Sequence, residues 1–312
     1  MQLTKERNRT VEGWWMPMKQ NHAARRVVIL ASLAIFGVFA ALVSARTATP
    51  SWRSNRTAPE SAYEVYAIRY GTLKSFPLGE LVKGEDKNKK IDIALMIWLV
   101  KGNGRNILVD SGFYRDAFMK QWKPADYMQP SEALSKLGLK PEDITDVIIS
   151  HAHWDHVDGT DLFPKARVWI QKEEFEYYDQ PEHQKDSGVF AVDMAMLEKV
   201  RAEGRLELVD GDDKTVLPGI TVYTGGRHTY ASQYVGVNTS KGIVILASDN
   251  VYLYENIEKS LPITATFDAE SNLRAQERMK KLAGSPGLII PGHDPAVFVK
   301  FPKPGNGIAL IS

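Results

Sequence analysis

Short apolar runs, separated by glycines and polar turns, dominate the chain after about residue 60. These runs are rich in β-branched and aromatic residues, which is typical of β-strands. The segment Gly102-Asn103-Gly104 between two of them favours a hairpin turn. We predict strands at residues 61–70, 91–100, 106–110, 146–150, 168–170, 206–209, 220–224, 233–237, 243–247 and 288–290.

Apolar residues with helical spacing follow several of these strands. The segment 131–137 begins at Ser131, a residue type that caps helices, and stops before Gly138. Further helices are predicted at residues 172–178, 191–202 and 273–282. In the helix 191–202 the spacing predicts one buried face that contains Val192, Ala195, Met196 and Val200. Strands followed by helices indicate layered sheets with helices on the outside.

The composition is that of a globular protein. Of 312 residues, 44% are hydrophobic and 25% are charged, which excludes a disordered or fibrous chain. No linker and no fixed repeat period interrupt the sequence after residue 60, so residues 61–312 are predicted to form one domain. Residues 46–60 are polar and are predicted to be a linker.

The first 45 residues have the order of an export signal. The basic pair Arg25-Arg26 precedes the apolar segment 27–43, and the small residues Ser44 and Ala45 follow it. Met18 would start a signal of more usual length. These features predict a cleaved signal peptide and a periplasmic or secreted protein. The alternative is an uncleaved anchor in the inner membrane, because 17 apolar residues are near the lower limit for a membrane span.

Net charge and cysteine content exclude some partners and some kinds of catalysis. Removal of residues 1–45 would leave 33 basic and 36 acidic residues, a net charge of −3 with both signs well mixed. We therefore expect no nucleic-acid partner. The chain has no cysteine, which excludes disulfides, thiol catalysis and cysteine-bound zinc. Any metal must be bound by His, Asp, Glu or water.

The segment directly after the predicted strand 146–150 contains the main candidate site. Three of the seven histidines lie within six positions there, beside an aspartate, as His151, His153, Asp155 and His156. In an extended or tightly turned loop alternate residues point the same way, so His151 and His153 can bind one ion. Imidazole and carboxylate groups together suit zinc, and also Fe, Mn or Co.

Three further candidates each follow an apolar strand. His228 comes after the strand 220–224, Asp249 after 243–247 and His293 after 288–290. Side chains that follow different strands can converge at one edge of a sheet. Each of the three alone would more often be an ordinary loop residue.

The string His-x-His-x-Asp-His at residues 151–156, followed by His228, Asp249 and His293, resembles the metallo-β-lactamase superfamily. The resemblance covers roughly residue 63 to the end of the chain. It implies an α+β fold, the αββα sandwich of two mixed β-sheets with helices on the outer faces. It also implies two metal ions, zinc above all, at one edge between the sheets. In that family pattern, one ion is bound by His151, His153 and His228, the other by Asp155, His156 and His293, and Asp249 bridges them.

Two ions at such a site imply hydrolysis. A water shared by two cations has a pKa near neutrality, so hydroxide is available to attack a carbonyl or phosphoryl centre. No protein nucleophile is needed. Asp155 is a candidate for orienting the nucleophile, which makes it both a ligand and a catalytic candidate.

Within the superfamily, the sequence is most similar to the N-acyl homoserine lactonases. Tyr252 lies three residues after Asp249, the offset of a substrate-binding tyrosine in that family. Asp249 lies 21 residues after His228 and 44 before His293, which is also similar. A phenol there can donate a proton to an oxyanion or to the leaving alkoxide. This branch implies lactone opening and quorum quenching.

Some features leave the substrate open. Arg227 stands before His228, where the lactonases usually have Pro-Gly, and the side chain can bind an anion or face solvent. A thioesterase, arylesterase, phosphotriesterase or β-lactamase remains an alternative, and so does a metal-binding or sensory module without turnover. Aromatic residues at 113–127 and 175–190 are typical of core or dimer contacts, or of an apolar pocket wall. A homodimer is therefore compatible with the sequence.

Overall fold

Two β-sheets form the centre of the protein in a computed structural model that describes residues 62–185 and 187–312. The predicted export segment and linker, residues 1–60, lie outside the described residues. The strands within the described ranges are β1 (Glu64–Pro77), β2 (Lys90–Gly102), β3 (Arg105–Val109), β4 (Asp146–Ile148), β5 (Arg167–Gln171), β6 (Leu206–Val209), β7 (Lys214–Leu217), β8 (Ile220–Thr224), β9 (Gln233–Thr239), β10 (Gly242–Ser248), β11 (Ile289–Pro291) and β12 (Ile308–Leu310).

Both sheets are mixed. The first has seven strands in the order β12-β1-β2-β3-β4-β5-β6, and the second has five in the order β11-β10-β9-β8-β7. In the first sheet β3 to β6 run parallel, and the strands from β12 to β3 pair antiparallel. In the second sheet only β10 and β11 pair in parallel. The predicted hairpin turn is confirmed between β2 and β3.

The described ranges contain ten α-helices, most of them short. They are α1 (Leu78–Leu81), α2 (Asp116–Trp122), α3 (Pro130–Ala133), α4 (Trp154–Val157), α5 (Lys172–Tyr178), α6 (Pro181–Gln184), α7 (Ala191–Ala202), α8 (Tyr254–Lys259), α9 (Ala269–Leu282) and α10 (Val297–Lys300). Within the same ranges, no helix combines the length and apolar character needed to cross a membrane.

The layers follow from the alternation of side chains along β2, which is buried on both faces. One set of its side chains packs with α2, α5 and α7, and consists of Ile93, Leu95, Ile97 and Leu99. The other set packs against the five-stranded sheet, and consists of Ala94, Met96, Trp98 and Val100. A third apolar cluster joins the opposite face of that second sheet to α8 and α9. Since successive side chains of a strand point to opposite faces, this gives the predicted order of helix, sheet, sheet and helix.

Two helix predictions were wrong in detail. Ser131 does not cap a helix: α3 begins at Pro130, which needs no hydrogen-bond partner for its nitrogen there. A 3₁₀ turn then continues to Leu137 and ends at Gly138, as predicted. Helix α9 begins at Ala269, earlier than predicted, because the carboxylate of Asp268 caps its first turn.

The buried face of α7 also differs from the prediction. Val192 is 48% exposed and Ala195 is exposed as well, whereas Met196 and Val200 are buried as expected. The helix is rotated so that Asp193 lies inside, 3.5 Å from the guanidinium of Arg115. Burial raises the pKa of Asp193 to about 9. A partner from a distant part of the chain thus makes an acidic residue a core residue, which periodicity does not reveal.

The strand directions determine where the candidate site lies. β3 and β4 are parallel, so residues 110 and 149–156 leave the first sheet at the same edge. In the second sheet β8, β10 and β11 share one direction, because β8 and β10 each pair antiparallel with β9, and β11 is parallel to β10. Residues 225–229, 249 and 292–293 therefore follow the carboxyl ends of those strands, where ligand-binding loops of such sheets are found.

Candidate metal centre

A short loop and one helical turn position the first four candidate ligands. The loop leaves β4 after Ile148 and carries His151 and His153. His153 is the residue before α4, and Asp155 and His156 lie within that helix. The tight turn brings ligands that are adjacent in the sequence to two neighbouring positions in space.

Four side chains converge on one point. They are His151, His153, His228 and Asp249, and their ligand atoms all lie within 4.8 Å of one another. Nδ1 of His153 lies 3.1 Å from Nε2 of His151 and 2.9 Å from Nε2 of His228. Oδ2 of Asp249 lies 3.3 Å from Nε2 of His228.

Three further side chains converge beside them: Asp155, His156 and His293. Nε2 of His156 lies 3.5 Å from Oδ2 of Asp155. Oδ1 of Asp249 lies 3.3 Å from Nε2 of His156 and 3.0 Å from Nε2 of His293. Asp249 therefore faces the first group with one oxygen and the second group with the other, the arrangement of a bridging carboxylate. All seven predicted side chains are brought together.

The hydrogen bonds of the outward-facing ring nitrogens show which nitrogen of each ring can offer a lone pair to a metal ion. Nδ1 of His228 donates to the carbonyl of Ala265 over 2.8 Å, and Nδ1 of His293 lies 3.0 Å from the carbonyl of Ala94. Each of these bonds leaves Nε2 unprotonated in a neutral ring. Within the described part of the chain, the buried atoms Nε2 of His156 and Oδ1 of Asp249 have no hydrogen-bond partner.

This donor set fits divalent metal ions. Lone pairs about 3 Å apart in a buried site need a cation between them, since orphaned buried polar atoms cost free energy. Nitrogen and carboxylate oxygen donors together match zinc, and also Fe, Mn or Co. One ion would be held by the three-histidine group, His151, His153 and His228. A second would be held by the Asp155 group, which we define as Asp155, His156 and His293.

The electrostatics of the two groups differ. Burial lowers the pKa of both His151 and His153 well below its usual value, so both rings are neutral donors at pH 7. Burial acts in the same direction on His156, but the carboxylates of Asp249, Asp155 and Asp110 raise its pKa well above the usual value. Negative charge is therefore concentrated beside the Asp155 group.

Asp110 is a functional residue that the sequence analysis missed. It follows β3 with φ of +60°, is fully buried, and its Oδ2 lies 2.8 Å from Nδ1 of His156. Oδ2 also accepts from the hydroxyls of Ser150 and Ser248, each over 2.9 Å. Because the Ser150 hydroxyl uses its proton on Asp110, it accepts from Nδ1 of His151, 2.8 Å away. The signal was present, since an acid directly after an apolar strand is the pattern that identified Asp249.

A cleft with about 690 Å³ of empty space, part of it open to solvent, leads to the centre. Asp155, Asp249 and His293 lie at its base, and Tyr252 lines it beside them. Its walls are mainly apolar and include Leu73, Phe76, Leu81, Ile93, Trp122 and Phe190. The cleft therefore combines polar groups at the base with space for an apolar substituent.

Tyr252 lies against both ligand groups. Its ring centroid is 5.6 Å from that of His228 and 5.9 Å from that of His293. Burial raises the pKa of the phenol well above its usual value, and the carboxylates of Asp249 and Asp155 act in the same direction. The hydroxyl therefore keeps its proton at neutral pH and can donate it.

The aromatic stretches have mixed roles. Phe113, Phe118 and Phe175 pack in the core, as expected for most such residues. Trp122 and Phe190 line the cleft instead, and Trp122 stacks on Trp154 at a centroid distance of 5.3 Å. These pocket residues were not identified from the sequence.

Arg227 does not line the cleft. It is exposed, and its guanidinium lies over the rings of Tyr230 and Phe267, 5.4 Å and 6.0 Å from their centroids. Of the two roles left open by the sequence, this position agrees with a solvent-facing side chain.

Comparison with known proteins gives relatives with the same fold. An N-acyl homoserine lactonase of Bacillus cereus is 31% identical over 164 residues, which cover 52% of this chain and 60% of that protein. The chain thus spans less than two thirds of that relative. An N-acyl homoserine lactonase from a Bacillus species is 26% identical over 219 residues, 65% of this chain and 82% of that protein.

A solved structure of a quorum-quenching N-acyl homoserine lactone lactonase superposes with a TM-score of 0.59 at 24% identity, covering 75% of this chain and 93% of that one. A sequence model of the metallo-beta-lactamase superfamily matches residues 96–293, which is more than half of the chain and includes all seven converging side chains. The chain therefore belongs to the metallo-beta-lactamase superfamily.

Proposed function

We propose that this protein is a metal-dependent hydrolase that opens the ring of N-acyl homoserine lactones. The observation that carries the proposal is the position of Tyr252, a protonated phenol against both ligand groups at the base of an apolar cleft. The lactonases among its relatives support the same substrate class.

The seven converging side chains would hold two ions, and we propose zinc for both. Such ions supply Lewis acidity and a hydroxide at neutral pH, which replaces a protein nucleophile. Asp249 faces both groups and would keep them at a constant separation. Asp155, which lines the cleft, is the carboxylate placed to orient the attacking group.

In this proposal Tyr252 acts on the substrate. Attack on a lactone carbonyl produces an oxyanion, and ring opening then releases an alkoxide that needs a proton. The phenol, whose pKa is raised by burial, is a neutral donor for either oxygen. A donor that is preorganised where negative charge develops stabilises the transition state more than the ground state.

The cleft walls account for the remaining part of the substrate. Leu73, Phe76, Ile93 and Trp122 present apolar surface in the cleft that contains the metal-binding side chains. An uncharged acyl chain buries area there without placing a charge in an apolar environment. The lactone ring would lie at the base, beside Tyr252.

The test is lactone opening by the purified, zinc-loaded protein, followed as proton release with short- and long-chain N-acyl homoserine lactones. We expect turnover that a chelator abolishes and that zinc restores. A protein that holds two ions per chain but opens no lactone would contradict the proposal. Thioesters, aryl esters, phosphotriesters and β-lactams, tested with the same preparation, would then separate the other hydrolases from a module without turnover.

A further inference from the structure

Glu174 is a buried carboxylate that the proposed reaction does not use. It lies in α5, has 0% exposed surface, and is not among the residues that line the cleft. Its two oxygens accept from two backbone amides, Oε1 from Ala152 over 3.0 Å and Oε2 from Ala231 over 2.7 Å. Burying a carboxylate costs free energy unless hydrogen bonds compensate for the lost water.

The two amides belong to the two loops that carry the three-histidine group. Ala152 is the residue between His151 and His153, and Ala231 lies three residues after His228. A single carboxylate thus links the backbone beside all three imidazole ligands. The loops are also joined by the amide of Gln233, which donates to the carbonyl of Ser150.

The Asp155 group has a different support. Asp110 contacts His156 directly, and the carbonyl of Ala94 contacts His293. Glu174 makes neither contact, and the backbone amides that donate to it lie in the loops of the three-histidine group. The two halves of the centre therefore differ in their support: Glu174 holds the backbone of the three-histidine loops, whereas Asp110 contacts His156 directly and reaches His151 only through Ser150.

We propose that Glu174 is a positioning residue that preorganises the three-histidine group for its metal ion. The inference rests on the proposed function only in requiring a metal centre. Groups behind the ligands determine ligand orientation, and their loss typically weakens metal binding without removing a ligand. Glu174 acts through the backbone, where one side chain can orient several ligands at once.

The substitution Glu174→Gln tests this with almost no change of shape. Both oxygens accept from N–H groups, but glutamine has one acceptor oxygen and one NH₂ group. In either orientation of the amide, a donor faces a backbone donor and one of the two bonds is lost. Glu173→Gln is the matched control, since Glu173 is the exposed neighbour in the same helix.

The measurement is a zinc titration of metal-free protein in competition with a chelator. For Glu174→Gln we expect the site of the three-histidine group to weaken by about 10–100-fold, while the site of the Asp155 group changes by less than about threefold. Glu173→Gln should bind both ions like the unsubstituted protein. Unchanged affinity at both sites of Glu174→Gln, or equal weakening of both, would overturn the proposal. Failure of the unsubstituted protein to bind zinc would overturn it as well.

Amide hydrogen exchange in the unsubstituted protein gives a second test that survives if Glu174→Gln fails to fold. The amides of Ala152 and Ala231 should stay protected after zinc is removed, because Glu174 holds them without metal. Loss of protection at both amides on zinc removal would show that the ion orders the loops, and would overturn the proposal. Neither readout uses a lactone, so two bound ions without lactone turnover would contradict the proposed function alone.

Discussion

The two ligand groups share Asp249 but differ in charge and in what supports them. In the three-histidine group, burial lowers the pKa of His151 and His153, and Glu174 links the loops through the backbone. The Asp155 group contains a carboxylate of its own, and Asp110 contacts its His156 directly. Nitrogen donors favour zinc-like ions, whereas added carboxylate accommodates harder ions such as Mn²⁺. The difference teaches that two halves of one site can share a ligand and still differ in charge and in the buried carboxylate that supports them most directly.

Substitution of Asp249, the residue that the two groups share, should weaken metal binding in both groups alike. In Asp249→Ala, both groups lose an oxygen donor, so we expect loss of metal and a fall in kcat/KM of at least ~10³-fold, because hydroxide is no longer available at neutral pH. Metal content per chain and lactone turnover measure the two effects. Asp116→Ala, an exposed acid in α2, is the control and should retain both. Two ions retained in Asp249→Ala would contradict the bridging role.

Asp110→Asn should affect the halves unequally. Asparagine tolerates the positive φ at this position but no longer offers a charged acceptor to His156. We expect the Asp155 group to lose about 10–100-fold in zinc affinity, with a smaller effect on the other group. Chelator competition resolves the two sites. If the three-histidine group weakened more, the assignment of Asp110 and Glu174 to different halves would be wrong.

Tyr252→Phe should separate metal binding from action on the substrate. Tyr252 lies against both ligand groups, so its loss should not weaken metal binding in one group more than in the other. We expect kcat for lactones to fall about 10–100-fold, as for loss of one transition-state donor, with metal content unchanged. Tyr254→Phe is the control, since that ring lies under Lys300 and does not line the cleft. An unchanged kcat would exclude Tyr252 from the reaction.

The smallest effect is expected at Trp122, which stacks on Trp154 next to Asp155. In Trp122→Ala, the wall of the cleft loses apolar surface. We expect KM for a long-chain lactone to rise about tenfold, equivalent to ~1.4 kcal/mol, with kcat preserved. A short-chain lactone is the internal control because its shorter acyl group buries less apolar surface in the cleft. An equal rise for both substrates would contradict a role in chain recognition.

The superfamily and its layered fold were predictable from the sequence and are confirmed by the structure and the comparisons. The strands 206–209 and 220–224 and the helices 172–178 and 191–202 begin and end where the pattern predicts. The short strands β7 and β12 were missed. The export signal and the domain boundaries remain predictions.

The seven ligand candidates could be named from the sequence because four form one motif after an apolar strand, the other three each follow a further apolar strand, and the whole string resembles the superfamily pattern. Strands end at sheet edges, so a local pattern already indicates that such residues can meet. Metal binding and the identity of the ions remain predictions, although the structure brings all seven side chains together.

The supporting residues depended on tertiary structure. Glu174 and Asp193 each look like an ordinary acid in the first turn of a helix, and both are buried. Trp122 looks like any aromatic residue near a helix end. Their roles come from partners distant in the chain: the amides of Ala152 and Ala231, the guanidinium of Arg115 and the ring of Trp154. Local patterns indicate which face a residue occupies, whereas a buried acidic side chain is stable only where folding provides hydrogen bonds, as for Glu174, or where burial keeps it neutral, as for Asp193.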